Sequence, residues 1–313
     1  MNTTASRSIA PTRPSAVVFD GVTRRFGATT ALDDLRLDIG VGETVALLGP
    51  NGAGKSTAIS IMLGLLAPSA GRATTLGLDP LVAVRSGRVG AMLQAATLPA
   101  GARVGELVDL ARALYPSPAP RGAILERAGL AALAGRRTDT LSGGEAQRLR
   151  FALAIAGDPD LVFLDEPTVA MDVEARRAFW ADMRRAALEG RTVLFATHYL
   201  DEADGVADRI IVLDHGRIVA DGSPAALKAS VAERTVRFAA SAGDPAADDR
   251  LARLPGVRTV TRRGDDVTLA CTDADAAVRG LVTTGIAFAH LEVAGADLDA
   301  AFLALTTGAA GAA

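Results

Sequence analysis

The chain has 313 residues, of which 22% are charged and 49% hydrophobic, and its formal net charge is −3. This length allows one large domain or two smaller ones, and the slightly negative charge predicts no nucleic-acid partner. A single cysteine, Cys271, excludes a disulfide within the chain. No apolar run approaches the ~18 residues of a membrane span. Residues 1–14 are polar, so we expect a disordered tail rather than a signal peptide.

The next part of the chain has the pattern of an α/β domain. The alternating stretches AVVFDGVTRRFG and ALDDLRLDI predict antiparallel strands, whereas the apolar runs at 44–49, 160–166 and 192–197 predict buried strands of a parallel sheet. Helical patterns alternate with these strands, which favours a sheet covered on both faces. The predicted helices are 55–65, 105–115, 145–156 and 173–188, with residues 95–140 as a helical insertion.

The character of the sequence changes near residue 230. The predicted elements there are strands at 234–239, 257–262, 267–271 and 286–293, with helices at 247–253, 274–284 and 297–306. This β-α-β-β-α-β order with one further helix is that of a ferredoxin-like α+β domain. We therefore expect a first domain at 15–229 and a small C-terminal domain at 230–313.

A glycine-rich segment, GPNGAGKST, directly follows the first predicted buried strand and fits the phosphate-binding pattern G-x-x-x-x-G-K-[ST]. Its glycines let the backbone N–H groups wrap a phosphate chain, and the following helix adds the positive end of its dipole. Lys55 would place a positive charge at the β- and γ-phosphates, and Ser56 would offer a hydroxyl to Mg²⁺. The candidate ATP-binding residues here are Gly49, Pro50, Asn51, Gly52, Ala53, Gly54, Lys55, Ser56 and Thr57.

Two adjacent carboxylates, Asp165 and Glu166, end the predicted strand LVFLDE. Strand alternation predicts that they point to opposite faces and have separate roles. Asp165 suits a Mg²⁺ shell, and Glu166 suits the polarisation of an attacking water as a general base. Together with the glycine-rich loop, this pair predicts a nucleoside triphosphatase.

The segment LSGGE predicts the start of a helix that has two glycines in its first turn. Ser142 and Glu145 fit a capping box, but Gly143 and Gly144 in the first turn cost about 0.5–1 kcal/mol each relative to alanine. Two bare glycines leave N–H groups uncovered, as the approach of an anion requires.

The combination of GPNGAGKST, LSGGE and LDEPT resembles the ATP-binding cassette (ABC) ATPases over residues 16–228. This resemblance implies a P-loop fold with a RecA-like sheet core, an antiparallel β subdomain and a helical subdomain. It also implies a head-to-tail homodimer with two ATP molecules at its interface. Ser142, Gly143, Gly144 and Glu145 would then bind the ATP that the other subunit holds.

Further residues match landmarks of that family one at a time. Phe26 matches the aromatic residue that stacks on adenine, and Gln94 matches the glutamine that touches Mg²⁺ and the attacking water. His198 matches the switch histidine at the γ-phosphate, and Asp172 matches the D-loop aspartate. The resemblance thus implies Glu166, His198 and Gln94 as catalytic residues and Ser56, Gln94 and Asp165 as the metal site. The D-loop departs from the family in reading Val169-Ala170-Met171, and Glu145 replaces the commoner glutamine.

The segments ATHYLDEADGVADRIIVLDHGRIVADGSPAALKA and DLDAAFLALTTG resemble the ATP-binding subunits of bacterial two-component exporters, the daunorubicin-resistance type among them. That resemblance implies a peripheral subunit at the cytoplasmic face of the membrane, which powers a separate permease. The alternative is a soluble ABC ATPase that acts on ribosomes or nucleic acid. Two roles stay open for the C-terminal domain: a support for dimerisation, or a binding site for a small regulatory ligand.

Overall fold

The computed structural model describes residues 14–94, 97–230, 234–240, 247–295 and 298–308. The tail predicted at 1–14 lies outside the described residues except for Pro14. The chain forms two compact units, one up to Asp221 and one from Gly222 onward. The second unit therefore begins before residue 230, because the helix at 224–230 contacts the last helix of the chain.

A three-stranded antiparallel sheet forms one part of the first unit, as the alternating pattern predicts. Its strands β1 and β2 bury Phe19, Leu35, Leu37 and Ile39 on one face. The third strand, β4, was not evident from the sequence. The sheet has the order β2-β1-β4, with β1 at Ser15–Phe26, β2 at Thr29–Gly40 and β4 at Ala70–Thr75.

A six-stranded sheet forms the centre of the first unit, with the order β5-β6-β7-β3-β8-β9. The pairs that join β5 through β8 are parallel, and β3, β6 and β7 are buried along their whole length. This confirms the three predicted buried strands. The strands are β3 (Thr44–Leu48), β5 (Val89–Met92), β6 (Leu161–Asp165), β7 (Thr192–Ala196), β8 (Arg209–Asp214) and β9 (Arg217–Gly222).

The helices of the first unit agree with the predicted ones and add two short ones, α2 and α7. Helices α3 and α4 lie between β5 and β6 in the chain, where the helical insertion is expected, and residues 95–96 of that segment are outside the described residues. The helices are α1 (Lys55–Met62), α2 (Pro80–Arg85), α3 (Val104–Ala113), α4 (Arg121–Arg127), α5 (Gly143–Ala154), α6 (Val173–Leu188) and α7 (Leu200–Val206).

The second unit has the predicted β-α-β-β-α-β order around its own core, which includes Phe238, Leu251, Leu269 and Leu281. Its sheet has the order β11-β12-β10-β13, and every neighbouring pair is antiparallel. The elements are α8 (Pro224–Ser230), β10 (Arg234–Ala239), α9 (Ala247–Ala252), β11 (Val257–Arg263), β12 (Asp266–Cys271), α10 (Ala274–Thr283), β13 (Ala289–Ala294) and α11 (Leu298–Gly308).

The order of the central sheet determines where its loops meet. Strands β6, β7 and β3 are neighbours, and all three run in the same direction. Their carboxyl ends therefore lie side by side, and the segments that follow them share one edge of the sheet. Those segments begin at Gly49 after β3, at Glu166 after β6 and at Thr197 after β7.

Arg209 joins the two sheets of the first unit. Its guanidinium group binds both carboxylate oxygens of Asp221 at 2.6 and 2.7 Å and donates to the carbonyl oxygen of Asp38 at 2.8 Å. It also lies 3.4 Å from Glu43 Oε2. The hydrogen bonds that Arg209 donates to Asp221 hold the pKa of the guanidinium group above its ordinary value.

We expect Arg209→Lys to lower the free energy of unfolding by about 1–3 kcal/mol, because an ammonium group cannot make the bidentate pair and reach Asp38 as well. Chemical denaturation followed by circular dichroism would measure this loss. The control is Arg88→Lys, which alters a single exposed pair with Asp160 and should change stability little. Equal stabilities of the two variants would contradict the structural role of Arg209.

Candidate functional site

The glycine-rich loop after β3 has a backbone that only glycine can adopt at two of its positions. Gly49 has φ 156°, and a Cβ atom there would lie 2.3 Å from the carbonyl oxygen of Leu213. Gly54 has φ 105°, and its Cβ atom would lie 2.6 Å from the carbonyl oxygen of Ala31. The loop is thus held against β8 and β2, and it leads into α1 at Lys55.

Lys55 folds back over this loop. Its Nζ atom donates hydrogen bonds to the carbonyl oxygens of Gly49 at 2.5 Å and Pro50 at 3.0 Å. Burial lowers the pKa of the ammonium group, whereas the carboxylates of Glu166 and Asp165 act in the opposite direction. The lysine is therefore a half-buried cation beside two acidic groups.

Asp165 is the last residue of β6, and only 8% of its surface is exposed. The hydroxyl group of Ser56 donates to Asp165 Oδ2 at 3.5 Å. Burial raises the pKa of Asp165, and the neighbouring Glu166 raises it further. Two oxygen atoms of the kind that bind metal ions, the Ser56 hydroxyl and an Asp165 carboxylate oxygen, therefore lie close together. The Asp165 carboxylate is buried, and its negative charge is only partly compensated.

Glu166 corrects one expectation from the sequence. Strand alternation predicts that it points away from Asp165, but both residues line the same cavity. The expectation is wrong because β6 ends at Asp165 and Glu166 adopts a left-handed backbone with φ 51°. Its N–H donates to the carbonyl oxygen of Ala196 at 2.9 Å, and its own carbonyl oxygen accepts from Gln147 Nε2 at 2.8 Å.

His198 contacts Glu166 directly. Its Nδ1 atom lies 2.8 Å from Glu166 Oε2, so a ring protonated at that nitrogen donates to the carboxylate. The histidine side chain is 57% exposed and the glutamate side chain 12% exposed. The exposed ring thus lies on the solvent side of a carboxylate that is nearly buried.

The residues after β3, β5 and β6 line an open cavity of about 200 Å³. Its lining contains both carboxylates, the lysine and the predicted glutamine after β5. Of the predicted site residues, those that line it are Asn51, Gly52, Gly54, Lys55, Ser56, Thr57, Gln94, Asp165 and Glu166. Ala31, on β2, completes the lining and was not predicted.

The predicted capping box at the start of α5 is confirmed. The N–H of Glu145 donates to Ser142 Oγ at 3.2 Å, and the N–H of Ser142 donates to Glu145 Oε2 at 2.8 Å. The latter bond holds the pKa of Glu145 below its ordinary value. The two glycines also have a reason within the chain: a Cβ atom on Gly143 would lie 3.0 Å from Ala170 Cβ, and one on Gly144 would lie 3.2 Å from the Ala170 carbonyl oxygen.

Ten predicted residues are not among the described residues that line the cavity: Phe26, Gly49, Pro50, Ala53, Ser142, Gly143, Gly144, Glu145, Asp172 and His198. Phe26 ends β1 with 48% of its surface exposed, and the guanidinium carbon of Arg24 lies 4.6 Å from its ring centroid. Asp172 caps α6, because its Oδ1 atom accepts from the N–H of Ala175 at 2.8 Å. Sequence reasoning missed this cap.

Gln147 is a further residue that sequence reasoning missed. It is 8% exposed and connects α5 to the backbone of Glu166. Its helical position could have revealed it, because Phe151 and Ala154 follow at the i+4 and i+7 positions and are both buried. A polar side chain on that buried stripe requires an internal hydrogen-bond partner.

Comparisons with known proteins agree with this geometry. A family model described as ABC transporter matches residues 32–169. The daunorubicin/doxorubicin resistance ATP-binding protein DrrA of Streptomyces peucetius is 36% identical over 310 residues, which are 95% of this chain and 93% of the relative. The Nod factor export ATP-binding protein I of Paraburkholderia xenovorans (strain LB400) is 38% identical over 69% of this chain and 73% of its own.

Solved structures give the same result for the fold. The dimeric structure of a bacterial ABC transporter cassette has a TM-score of 0.61 and 27% identity, and it covers 66% of this chain and 98% of its own. A bacterial Atm1-family ABC exporter with ATP bound has a TM-score of 0.62 and 26% identity over 73% of this chain and 42% of its own. The chain belongs to the ABC transporter family of ATP-binding proteins, and ATP hydrolysis coupled to transport is its activity.

Proposed function

We propose that two copies of this chain bind two ATP molecules between them and drive export through a separate membrane permease. The observation that carries the proposal is the cavity in which Lys55, Asp165 and Glu166 meet, with His198 hydrogen-bonded to Glu166. Phosphoryl transfer to water requires a cation at the phosphates, a carboxylate that holds the metal ion and a carboxylate that acts as the base. Lys55, Asp165 and Glu166 supply these three groups.

Each residue of the cavity has one step of hydrolysis to support. The N–H groups of residues 49–57 cradle the phosphates, and Lys55 neutralises charge at the β- and γ-phosphates. Glu166 accepts a proton from the water that attacks the γ-phosphorus, and the bond to the bridging oxygen of ADP breaks. His198 holds the carboxylate through its 2.8 Å contact and is exposed enough to reach the γ-phosphate.

Mg²⁺ fits the oxygen donors of this cavity. Ser56 and Asp165 bring a hydroxyl and a carboxylate oxygen to within 3.5 Å of each other, and Gln94 lines the same cavity. A buried carboxylate with a raised pKa gains most from a nearby cation, and hard oxygen ligands suit Mg²⁺. When bound, the ion would neutralise the charge of the phosphates.

The second half of each ATP site comes from the other copy in this proposal. Ser142 and Gly143 are exposed at the N-terminus of α5, so its N–H groups and dipole can meet a phosphate held by a second subunit. Gly144 and Glu145 follow them in the first turn of α5, and Asp172 would contact the same nucleotide. Phe26 stacks on the adenine through its exposed ring face.

The relatives support the proposal of export through a permease. Their names are those of drug-resistance and Nod factor export proteins, which favours export over the ribosomal or nucleic-acid alternative. Among the described residues, no helix is long and apolar enough to cross a membrane. In this proposal the subunit acts from the cytoplasmic face on a separate permease, and a drug, antibiotic or lipid is the exported class.

The test of the whole proposal is Glu166→Gln, assayed with the permease in a membrane. The amide keeps the volume and loses the base, so ATP binding should persist while turnover falls by about 10²–10⁴-fold and export stops with it. ATP-loaded dimer should accumulate on size-exclusion chromatography. The control is Glu174→Gln, which alters an exposed glutamate in the first turn of α6 and should leave turnover unchanged. Normal turnover by Glu166→Gln would rule out the assigned role.

The two-copy site can be tested by mixing inactive subunits. Ser142→Arg and Lys55→Ala damage opposite halves of each site, so each variant alone should have almost no ATPase activity. In a mixed dimer one site carries both defects and the other carries none, so refolding the two variants together should restore part of the activity. A helix cap without a partner predicts a different result: Ser142→Arg would lose about 1 kcal/mol of stability and stay active alone. That outcome would refute the dimer.

Asp165 gives a prediction with opposite signs for stability and activity. Because its pKa is raised in the folded protein, stability is lost as the pH rises from the unfolded-state pKa through the folded-state pKa. Asp165→Asn removes this penalty, so its melting temperature should exceed that of the parent at pH 7 in buffer without Mg²⁺ or nucleotide. The difference should shrink toward pH 4, and ATPase activity should collapse. A lower melting temperature at pH 7 would contradict the electrostatic reasoning.

A further inference from the structure

Glu202 is a buried acid that the proposed mechanism does not use. It lies in the first turn of α7 with 5% of its surface exposed, and it is not among the described residues that line the cavity. Burying a carboxylate is costly unless its oxygens accept hydrogen bonds. Both of its oxygens do: Thr168 Oγ1 donates to Oε1, and Thr197 Oγ1 donates to Oε2 at 3.0 Å.

The two threonines belong to the segments that carry the reacting pair. Thr168 comes two residues after Glu166, and Thr197 directly precedes His198. Both threonines are 1% exposed, so water does not compete for their hydroxyl groups. The hydroxyl oxygen of Thr197 accepts from the N–H of Tyr199 at 3.0 Å, which directs its proton to Glu202. One carboxylate thus joins the segment after β6, which carries Glu166, to the segment after β7, which carries His198.

Arg176 completes the surroundings of the acid. Its Nε atom lies 3.4 Å from Glu202 Oε1, and its guanidinium carbon lies 4.5 Å from the ring centroid of Tyr199. The Tyr199 ring is in turn 4.1 Å, between centroids, from the ring of His198. Arg176 therefore compensates the negative charge of the buried Glu202 carboxylate. Through Tyr199, it also connects Glu202 to the ring of His198.

We propose that Glu202 is a positioning residue that fixes Glu166 and His198 relative to each other through Thr168 and Thr197. This inference rests on the proposed roles of Glu166 and His198 and extends them. Because Glu202 does not contact the nucleotide cavity, its hydrogen bonds affect the geometry of the reacting pair and not the binding of ATP. Their loss should lower kcat and leave KM for ATP unchanged.

The test measures kcat and KM for MgATP with the full chain and single-atom changes at the threonines. Thr168→Val and Thr197→Val keep the shape and remove the hydrogen bond to Glu202, and Thr197→Val also removes the acceptor of the Tyr199 N–H. We expect kcat to fall by about tenfold to a hundredfold, the scale of a small misplacement at a reacting centre. Thr168→Ser and Thr197→Ser keep the hydroxyl and should restore activity close to that of the parent. Glu202→Gln should lower kcat as well, since an amide nitrogen cannot accept the second bond.

Thr192→Val is the matched control, because Thr192 is equally buried, lies on β7 and accepts a hydrogen bond from the N–H of Gly42 at 3.0 Å, away from the pair. It should lower the melting temperature and leave kcat unchanged. The inference is overturned if Thr168→Val and Thr197→Val lose no more kcat than Thr192→Val, or if the serine variants are as slow as the valine ones. Glu166→Gln, measured in parallel, distinguishes the two proposals. Normal turnover by this variant would refute the role of Glu166 as the base. A loss of kcat in the threonine variants would then reflect a structural role of the threonines and not the positioning of a base.

Discussion

The hydrogen bond from the N–H of Glu166 to the carbonyl oxygen of Ala196 is the constraint on which the site depends. It joins the chain just after β6 to the last residue of β7, at the point where Glu166 takes a left-handed backbone. Such a residue costs of order 1–3 kcal/mol, and the bonds from Gln147 and to Ala196 offset that strain. The left-handed turn brings Glu166 into the cavity that Asp165 also lines. An ordinary strand end would have separated the two carboxylates.

Burial disfavours the ionised forms of the charged groups in the cavity. Burial lowers the pKa of Lys55 and raises that of Asp165, so each of the two groups is held in an environment that disfavours its charge. Their mutual attraction compensates only in part. Phosphates supply the negative partner that Lys55 favours, and a divalent cation supplies the positive partner that Asp165 favours. The protein thus gives up stability at this site, and ATP with Mg²⁺ would recover it on binding.

How much the sequence predicts depends on how local each signal is. The buried strands and the capping box at Ser142 depend on residues a few positions apart, and the structure confirms them. The direction of Glu166 was mispredicted because alternation assumes that a strand continues, whereas the contacts that end it come from Gln147 and Ala196. The bridge from Thr168 to Glu202 spans 34 residues, and nothing in the local pattern around either residue indicates it. Contacts of this kind are set by the packing of whole elements.

The two glycines of LSGGE, residues 143 and 144, illustrate how one feature can satisfy two constraints. Their missing Cβ atoms leave the N-terminus of α5 open to an anion, and they also let Ala170 pack against the first turn. Helix α5 carries Gln147 one turn further along, so the surface proposed to meet the partner's phosphate lies about 6 Å along a rigid helix from the hydrogen bond that holds Glu166. A shift of this helix would move the carbonyl oxygen of Glu166 directly. In the proposed dimer, the N-terminus of α5 contacts the ATP held by the partner subunit. Through Gln147, the same helix is hydrogen-bonded to Glu166, the base that acts on the ATP held by this subunit.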